Sequence, residues 1–327
     1  MRPAPSILTN MAFHQSRTWS EAVATICRGD ESPDELGALR QALRLLRLRS
    51  RFDAVVTMGA RPSLAYGLLC ALLRLPSKQV MTEVFLDEAR PSSLRWRLKT
   101  ALFRWIARRS RGILTNSSPE IGYLARRFNL PEANLRFVPM YSTLGHSEPA
   151  AEHDGFVLSI GRTSRDWDTL LRAAPRFDAP LHLVAGREDR LPLPLPPNVQ
   201  VHRNLPLEEG HALMRRAAVV AIPLLPAERS TGQVVLFEAM ALGKPVVATR
   251  ATGTVDYVRD GENGLLVAPG DADALAAAVN RLLRDRECAN RLGRAAAQDG
   301  RNELGAERHA ERKLAAIREL CAAPSPA

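Results

Sequence analysis

Aromatic residues make up only 5% of this 327-residue chain, and it has four cysteines. No apolar run approaches the roughly 18 residues that span a bilayer, the longest being Leu64 to Leu73. The His, Cys and Asp spacings contain no zinc pattern, no G-x-x-x-x-G-K-[ST] phosphate loop occurs, and neither an internal repeat nor a signal-peptide pattern is evident. These absences argue against a membrane-spanning protein, a zinc module and a P-loop nucleotidase. Cys27, Cys70, Cys288 and Cys321 are scattered, which suits reduced thiols in the cytosol rather than a disulfide scaffold. The net charge is +10, but few aromatics and no recognisable reader motif argue against nucleic acid as the partner.

What is present is enough apolar material, 46% of residues, for two cores in chain segments of about 150 residues each. Strand-like segments at 6–10, 53–58, 79–84, 112–116 and 135–138 alternate with helical patterns. A second series at 156–160, 181–185, 199–202, 219–223, 245–249 and 264–267 does the same, which predicts two parallel-sheet α/β units. The polar stretch 141–154 reads as the linker, and a cleft beneath it as the active site. Residues 271–284 and 289–321 read as helices, and Leu191 to Pro197 as a rigid proline-rich loop.

The positive charge is concentrated. Between Arg90 and Ser118 there is no acidic residue, while eight basic ones occur. At helical spacing Leu94, Leu98, Ala101, Leu102, Trp105 and Ile106 form a stripe expected to face the core, leaving Trp96 and Phe103 outward beside Arg95 and Lys99. Exposed rings flanked by cations suit an anionic membrane surface. A second basic helix over 33–50 places Leu36, Leu39, Leu43 and Leu46 on one face and Arg40, Arg44 and Arg47 beside it, with Leu45 and Leu48 pointing elsewhere. A merely solvated basic face is the alternative for both helices.

The segment from Ser230 to Val267 carries the chemistry. Its first helix, around Val234 to Leu242, is apolar except for Glu238, and a lone carboxylate there is either ion-paired or aimed into a cleft. Gly243 and Pro245 stop the helix before a short buried strand. Upstream, Phe156 to Ile160 reads as a strand, Gly161 as a turn, and Asp168 as the cap of a helix bearing Leu170, Leu171 and Ala174. The strings Asp166-Trp167-Asp168 and Asp271-Ala272-Asp273 have metal-site spacing, but both precede helices, so capping is the preferred reading.

The pattern E-A-M-A-x-G-x-P-V-V-A-T, followed by V-x-D-G-x-N-G-L-L-V, resembles the nucleotide-sugar-binding half of glycosyltransferase family 4. That resemblance implies a GT-B fold, two Rossmann-like parallel-sheet domains facing across a cleft, with boundaries at 1–145, 146–305 and a C-terminal helix at 306–327 crossing back to the first domain. It implies that Glu238 holds the ribose hydroxyls of the donor, both oxygens accepting at once. It also implies that Gly161, Arg162 and the nearby Arg165 serve the donor diphosphate, the two arginines as catalytic charge stabilisers. The family's usual E-G-F-G loop is replaced here by Ser230, Thr231, Gly232 and Gln233, which would bind donor through amides and neutral side chains. Glu228 is a possible substitute for the missing carboxylate. His202 and Arg203 would lie beside the nucleobase, and Glu83 and Asp87 are either cleft contacts or loop and cap residues.

The resulting expectation is a retaining, metal-independent glycosyltransferase with no cofactor. It would move a sugar from a nucleotide diphosphate donor to a glycan or lipid-linked acceptor, peripherally bound at the cytosolic face of the membrane. The rival classes are a nucleotide-sugar epimerase of the same fold and a non-catalytic binding protein.

Overall fold

The structure, a computed structural model, describes residues 4–11, 13, 15–27, 33–84, 86, 93–144 and 153–323. It divides into two compact units, Met1–Pro139 with Ala306–Ala327, and Met140–Gly305.

In the first unit the strands are β1 (Ile7–Thr9), β2 (Val23–Thr25), β3 (Ala54–Met58), β4 (Gln79–Thr82), β5 (Gly112–Thr115) and β6 (Leu135–Phe137). They form one parallel sheet in the order β2-β1-β3-β4-β5-β6. The helices between them are α1 (Arg17–Ala22), α2 (Pro33–Leu48), α3 (Ala60–Leu72), α4 (Leu94–Arg108) and α5 (Pro119–Phe128). Val55, Val56, Val80 and Met81 are completely buried, as expected where both faces of a parallel sheet are covered. The α1–β2 segment was not anticipated, because six residues of helix and three of strand are too short to show a period.

Two helices turn a different face inward from the one their sequence suggests. On α4 the rings of Trp96 and Phe103 are buried, whereas Leu94, Leu98 and Trp105 are exposed. Of the stripe expected inward only Ile106 is fully buried, beside Trp96, Phe103 and Ala107, and Phe103 packs edge-on against Phe128 at 4.7 Å between centroids. Trp96 and Phe103 are therefore core residues and not membrane contacts. Arg95 remains exposed, and Lys99 lies 5.5 Å from the Trp96 ring. On α2 Leu36, Ala42 and Leu45 are buried and Leu46 packs against the same core, while Leu39 and Leu43 of the expected stripe are exposed. Gly37 sits at φ 63°, which breaks the helix and resets the phase that Leu36 would have set.

The second unit contains β7 (Val157–Ile160), β8 (Leu181–Ala185), β9 (Val199–Arg203), β10 (Val219–Ile222), β11 (Val246–Thr249) and β12 (Leu265–Val267). All pair in parallel, in the order β12-β11-β10-β7-β8-β9. Its helices are α6 (Trp167–Ala173), α7 (Leu207–Arg216), α8 (Gln233–Ala241), α9 (Ala272–Arg284) and α10 (Arg286–Glu303). Alternation along β10 sends Val219 and Ala221 into the core under α6 and α9, so the equally buried Val220 and Ile222 face the opposite side. The Asp-x-Asp strings begin helices. Asp166 accepts from the Thr169 amide at 3.0 Å and Asp271 from the Ala274 amide at 2.8 Å. The cap of α6 is thus Asp166, and Asp168 instead pairs with Arg172 one turn on.

The expected helix over 289–321 is two, interrupted at Leu304 and Gly305. The last, α11 (Ala306–Ala322), packs within the first unit against α1 and β5. Its Glu307 accepts from Ser16 Oγ at 2.8 Å and from the Arg17 and Thr18 amides, the open N-terminus of α1. Hydrogen bonds from the Thr18 and Ser16 hydroxyls, with those from the Arg17 and Thr18 amides, hold its carboxyl down at about 2. Among the described residues no helix is long and apolar enough to cross a membrane.

Candidate active site

The second sheet reverses direction of growth at β7: the chain proceeds outward through β8 and β9, then returns to lay β10, β11 and β12 on the other side. Such a switch point leaves a crevice at the carboxyl ends of the strands, where α/β proteins bind ligands. Here it holds a cavity of about 330 Å³. Ile160, Gly161 and Arg162 enter from the end of β7, Val184 and Ala185 from β8, and Asn204 to Pro206 from the turn after β9. Leu207, Gly210 and His211 on α7, with Val234, Val235 and Glu238 on α8, complete the lining.

The Gly161 turn sorts the two arginines. Gly161 sits at φ 142°, and a Cβ built on it would stand 2.1 Å from the Arg165 guanidinium. Because that space is open, Arg165 folds back under the turn. Its Nε and NH2 donate to the Ile160 carbonyl at 3.1 and 3.0 Å, and NH1 donates to Thr163 O at 3.2 Å. Burial pushes this guanidinium down to about 10, and it does not line the cavity. Arg165 therefore braces the loop, and of the two arginines expected at the diphosphate it is Arg162 that lines the cavity. Arg162 is exposed on the cavity wall, with one hydrogen bond from NH2 to Asn204 Oδ1 at 3.3 Å.

This division of labour has a measurable consequence. Arg165→Met leaves the partly buried Ile160 and Thr163 carbonyls without these donors at a cost of about 1–3 kcal/mol each, so the thermal midpoint is expected to fall by at least roughly 4 °C, at about 2–4 °C per kcal/mol for a unit of this size. Arg162→Ala is expected to leave it nearly unchanged, as differential scanning fluorimetry would show.

Glu238 lies on the inner face of α8 and is 4% exposed. Its Oε1 stands 3.1 Å from His211 Nε2, an ion-pair distance without the alignment of a full hydrogen bond. The carboxylate that the sequence marked is thus both in the cavity and partnered. Gly232 caps α8 in the left-handed conformation at φ 82°, and Ser230, Thr231 and Gln233 around it are buried. A Cβ on Gly253 would come within 2.0 Å of the Thr231 carbonyl, so the loop after β11 is pressed onto this segment. The four residues lie at the start of α8 and do not line the cavity itself.

The remaining expected contacts lie elsewhere. His202 Nε2 is 3.2 Å from His182 Nδ1, in a row with the Phe156 ring stacked on His182 at 4.1 Å. Arg203 donates to the Gly186 and Asp189 carbonyls and so fastens the loop after β8. Glu228 is exposed outside the cavity lining. In the first unit, Glu83 has φ 53° and its Oε1 is 4.0 Å from Nζ of the buried Lys313. Asp87 lies outside the described residues. His211 and Asn204 are cavity residues whose side chains sequence reasoning gave no role. For His211 the available signal was its place on the face of α7 that carries the buried Gly210 and Met214.

Residues 15–140 match the family described as "Glycosyltransferase Family 4", and residues 155–285 the family described as "Glycosyl transferases group 1". The lipopolysaccharide core biosynthesis glycosyltransferase LpsE of Rhizobium meliloti is 41% identical over 76 residues, covering 23% of this chain and 22% of LpsE. The MMP α-(1→4)-mannosyltransferase of Mycolicibacterium hassiacum is 31% identical over 234 residues, 63% of this chain and 56% of that one. The matches thus span less than two thirds of the length of either relative. Among solved structures, Anabaena HepE in complex with UDP superposes with a TM-score of 0.68 at 15% identity, over 95% of this chain and 99% of that one. WaaG, a glycosyltransferase involved in lipopolysaccharide biosynthesis, superposes with a TM-score of 0.60 at 15% identity, over 91% and 87%. The shared architecture is the GT-B fold.

Proposed function

The chain belongs to glycosyltransferase family 4, and from that premise we propose that it transfers a hexosyl unit from a nucleotide diphosphate sugar to an acceptor hydroxyl, with retention at the anomeric carbon. The observation that carries this reading is the convergence of the Gly161-Arg162 turn and Glu238 on one cavity at the switch point of the second sheet. The Glu238 carboxylate accepts from the two ribose hydroxyls, and Arg162 faces the diphosphate. In the reaction the bond between the anomeric carbon and the diphosphate oxygen breaks, and its electron pair leaves with the diphosphate. The acceptor oxygen bonds to the same face of the sugar, and its proton passes to the departing diphosphate oxygen. The guanidinium stabilises the charge that grows there. The turn before α8, from Ser230 to Gln233, offers a helix N-terminus to the donor.

The test is a thermal-shift screen of nucleotide sugars. A ligand present at 100 times its Kd adds about 2.7 kcal/mol of stability, so a donor at millimolar concentration is expected to raise the midpoint by several degrees, and its free sugar to leave it unchanged.

The acceptor proposed is a lipid-linked or cell-envelope glycan at the cytosolic membrane face. LpsE and WaaG, which this chain resembles, carry lipopolysaccharide biosynthesis in their descriptions. Independent support comes from the first unit, where α3 packs against both α2 and α4. This helical layer exposes Leu39, Leu43, Leu72, Leu94, Leu98 and Trp105. The exposed stripe of α4 is interleaved with Arg95, Arg97, Arg104 and Arg108, and Arg109 stacks 5.0 Å from the Trp105 ring. Apolar side chains for the headgroup boundary and cations for anionic lipid, worth about 1 kcal/mol each near the surface, are the ingredients of interfacial binding. In flotation assays the protein is expected to rise with anionic vesicles at low salt. Leu98→Asp with Trp105→Asp should abolish flotation, and W96F should not.

A further inference from the structure

We infer that Asn204 is the positioning residue for Arg162: its side-chain carbonyl holds the guanidinium at the cavity while leaving the full positive charge to a donor diphosphate. This inference rests on the donor reading above and deepens it by giving a role to a side chain from the turn after β9.

In the second sheet β8 lies between β7 and β9, so the turns that follow β7 and β9 flank its carboxyl end. Arg162 stands on the first of these turns and Asn204 on the second, and both line the cavity. Each turn is anchored to the strand between them. The Gly161 amide donates to the Val184 carbonyl at 3.3 Å, and the Asn204 amide to the Ala185 carbonyl at 3.0 Å. Arg203, next to Asn204, ties down the turn after β8 through the Gly186 and Asp189 carbonyls. The Asp189 carboxylate closes that turn by accepting from the Gly186 amide at 2.8 Å. The Arg162 stem runs over Gly186, where a Cβ would stand 3.5 Å from Arg162 Cγ. The guanidinium NH2 then donates to Asn204 Oδ1 at 3.3 Å.

The residue type suits the task. Asn204 has φ 53°, a left-handed conformation that glycine, asparagine and aspartate adopt most readily. Of these three, glycine has no side chain to offer and aspartate would bring a charge. A guanidinium only donates, so it is the oxygen of the Asn204 amide that faces it. A neutral acceptor orients Arg162 without cancelling its charge, whereas a carboxylate would compete with the diphosphate for it. Among the described residues Arg162 makes no ion pair, so no protein carboxylate takes up that charge. An arginine side chain has many rotamers to lose when a ligand fixes it, and a side chain already held in place loses fewer. Asn204 thus strengthens the hold on a diphosphate by acting on Arg162, without touching the ligand itself.

The experiment measures Kd by calorimetry at about pH 8, where a terminal phosphate is ionised, for wild type, Asn204→Gly, Arg162→Ala and the double variant. The probes are whichever of UDP, GDP and ADP binds wild type most tightly and the corresponding nucleoside monophosphate. The diphosphate is the leaving group itself and carries the charge that Arg162 faces. Glycine accepts the φ of position 204 without strain, so the thermal midpoint is expected to be kept. Asn204→Gly should weaken diphosphate binding about threefold to tenfold, the size of one orienting hydrogen bond, and monophosphate binding less than about twofold. In the Arg162→Ala background the same substitution should change the diphosphate Kd by less than about twofold, because the group that Asn204 orients is gone. A turn merely loosened by glycine would weaken binding in both backgrounds. Equal losses with and without Arg162, equal losses for diphosphate and monophosphate, or no loss at all overturn the inference. If Arg162→Ala still weakens the diphosphate in that case, the donor reading stands and only the role of Asn204 falls. Absence of binding by all three diphosphates to wild type would overturn both.

Discussion

Arg162→Ala is expected to lower kcat/KM for the nucleotide sugar by about 10²–10³-fold, the loss that follows removal of one preorganised group from a developing oxyanion. The size follows from where the residue sits. Arg162 is the arginine on the cavity wall, its neighbour Arg165 being tied to the Ile160 and Thr163 carbonyls. The charge on a leaving diphosphate grows as the glycosidic bond breaks, so the effect should fall mostly on kcat. Arg162→Lys should recover only part of it, since an ammonium keeps the charge but not the planar fork that spans two phosphate oxygens. A variant in which KM alone changed would show Arg162 to be a ground-state contact.

Glu238→Gln is expected to weaken nucleotide-sugar binding by roughly 10–100-fold, equivalent to losing about 1.5–3 kcal/mol of charge-assisted hydrogen bonding. Glutamine keeps the shape and one acceptor, so the loss isolates the second acceptor and the charge. Comparison with the 2′-deoxy donor makes the assignment specific. Removing the hydroxyl should cost wild type about tenfold and Glu238→Gln much less, because a group cannot be lost twice. Equal penalties in both proteins would place Glu238 away from the ribose, as a structural partner of His211 only. The substitution also removes the carboxylate from its 3.1 Å contact with His211, so the thermal midpoint must be compared before affinities are read.

Glu238 was visible in the sequence because it is the one charge in an apolar helix, and the strands were visible because short β-branched runs between turns leave little alternative. The arginines were harder. Arg162 and Arg165 are equivalent as letters in a loop, and what separates them is the missing Cβ of Gly161, which lets one fold under the turn. The inward face of α4 was ambiguous for a different reason: two apolar stripes obey the same 100° spacing, and the packing of Phe103 against Phe128 is a tertiary contact that periodicity does not register. On α2 the expected stripe failed at Gly37, whose positive φ breaks the phase in a way that periodicity does not register. His211 went unassigned because its partner lies 27 positions away on another helix, and the pairing is a tertiary fact.

The central claim is that the cavity beside β7 binds a nucleotide sugar and gives up its sugar to an acceptor. Its most direct test follows nucleotide sugars carrying ¹³C in the sugar ring by NMR, with the protein and a lipid extract as acceptor source. The account predicts release of nucleoside diphosphate from at least one donor, a product keeping the donor's anomeric configuration, and loss of both with Arg162→Ala. Conversion of the donor to an epimer without any acceptor, or no binding and no turnover of any nucleotide sugar at millimolar concentration, would contradict it.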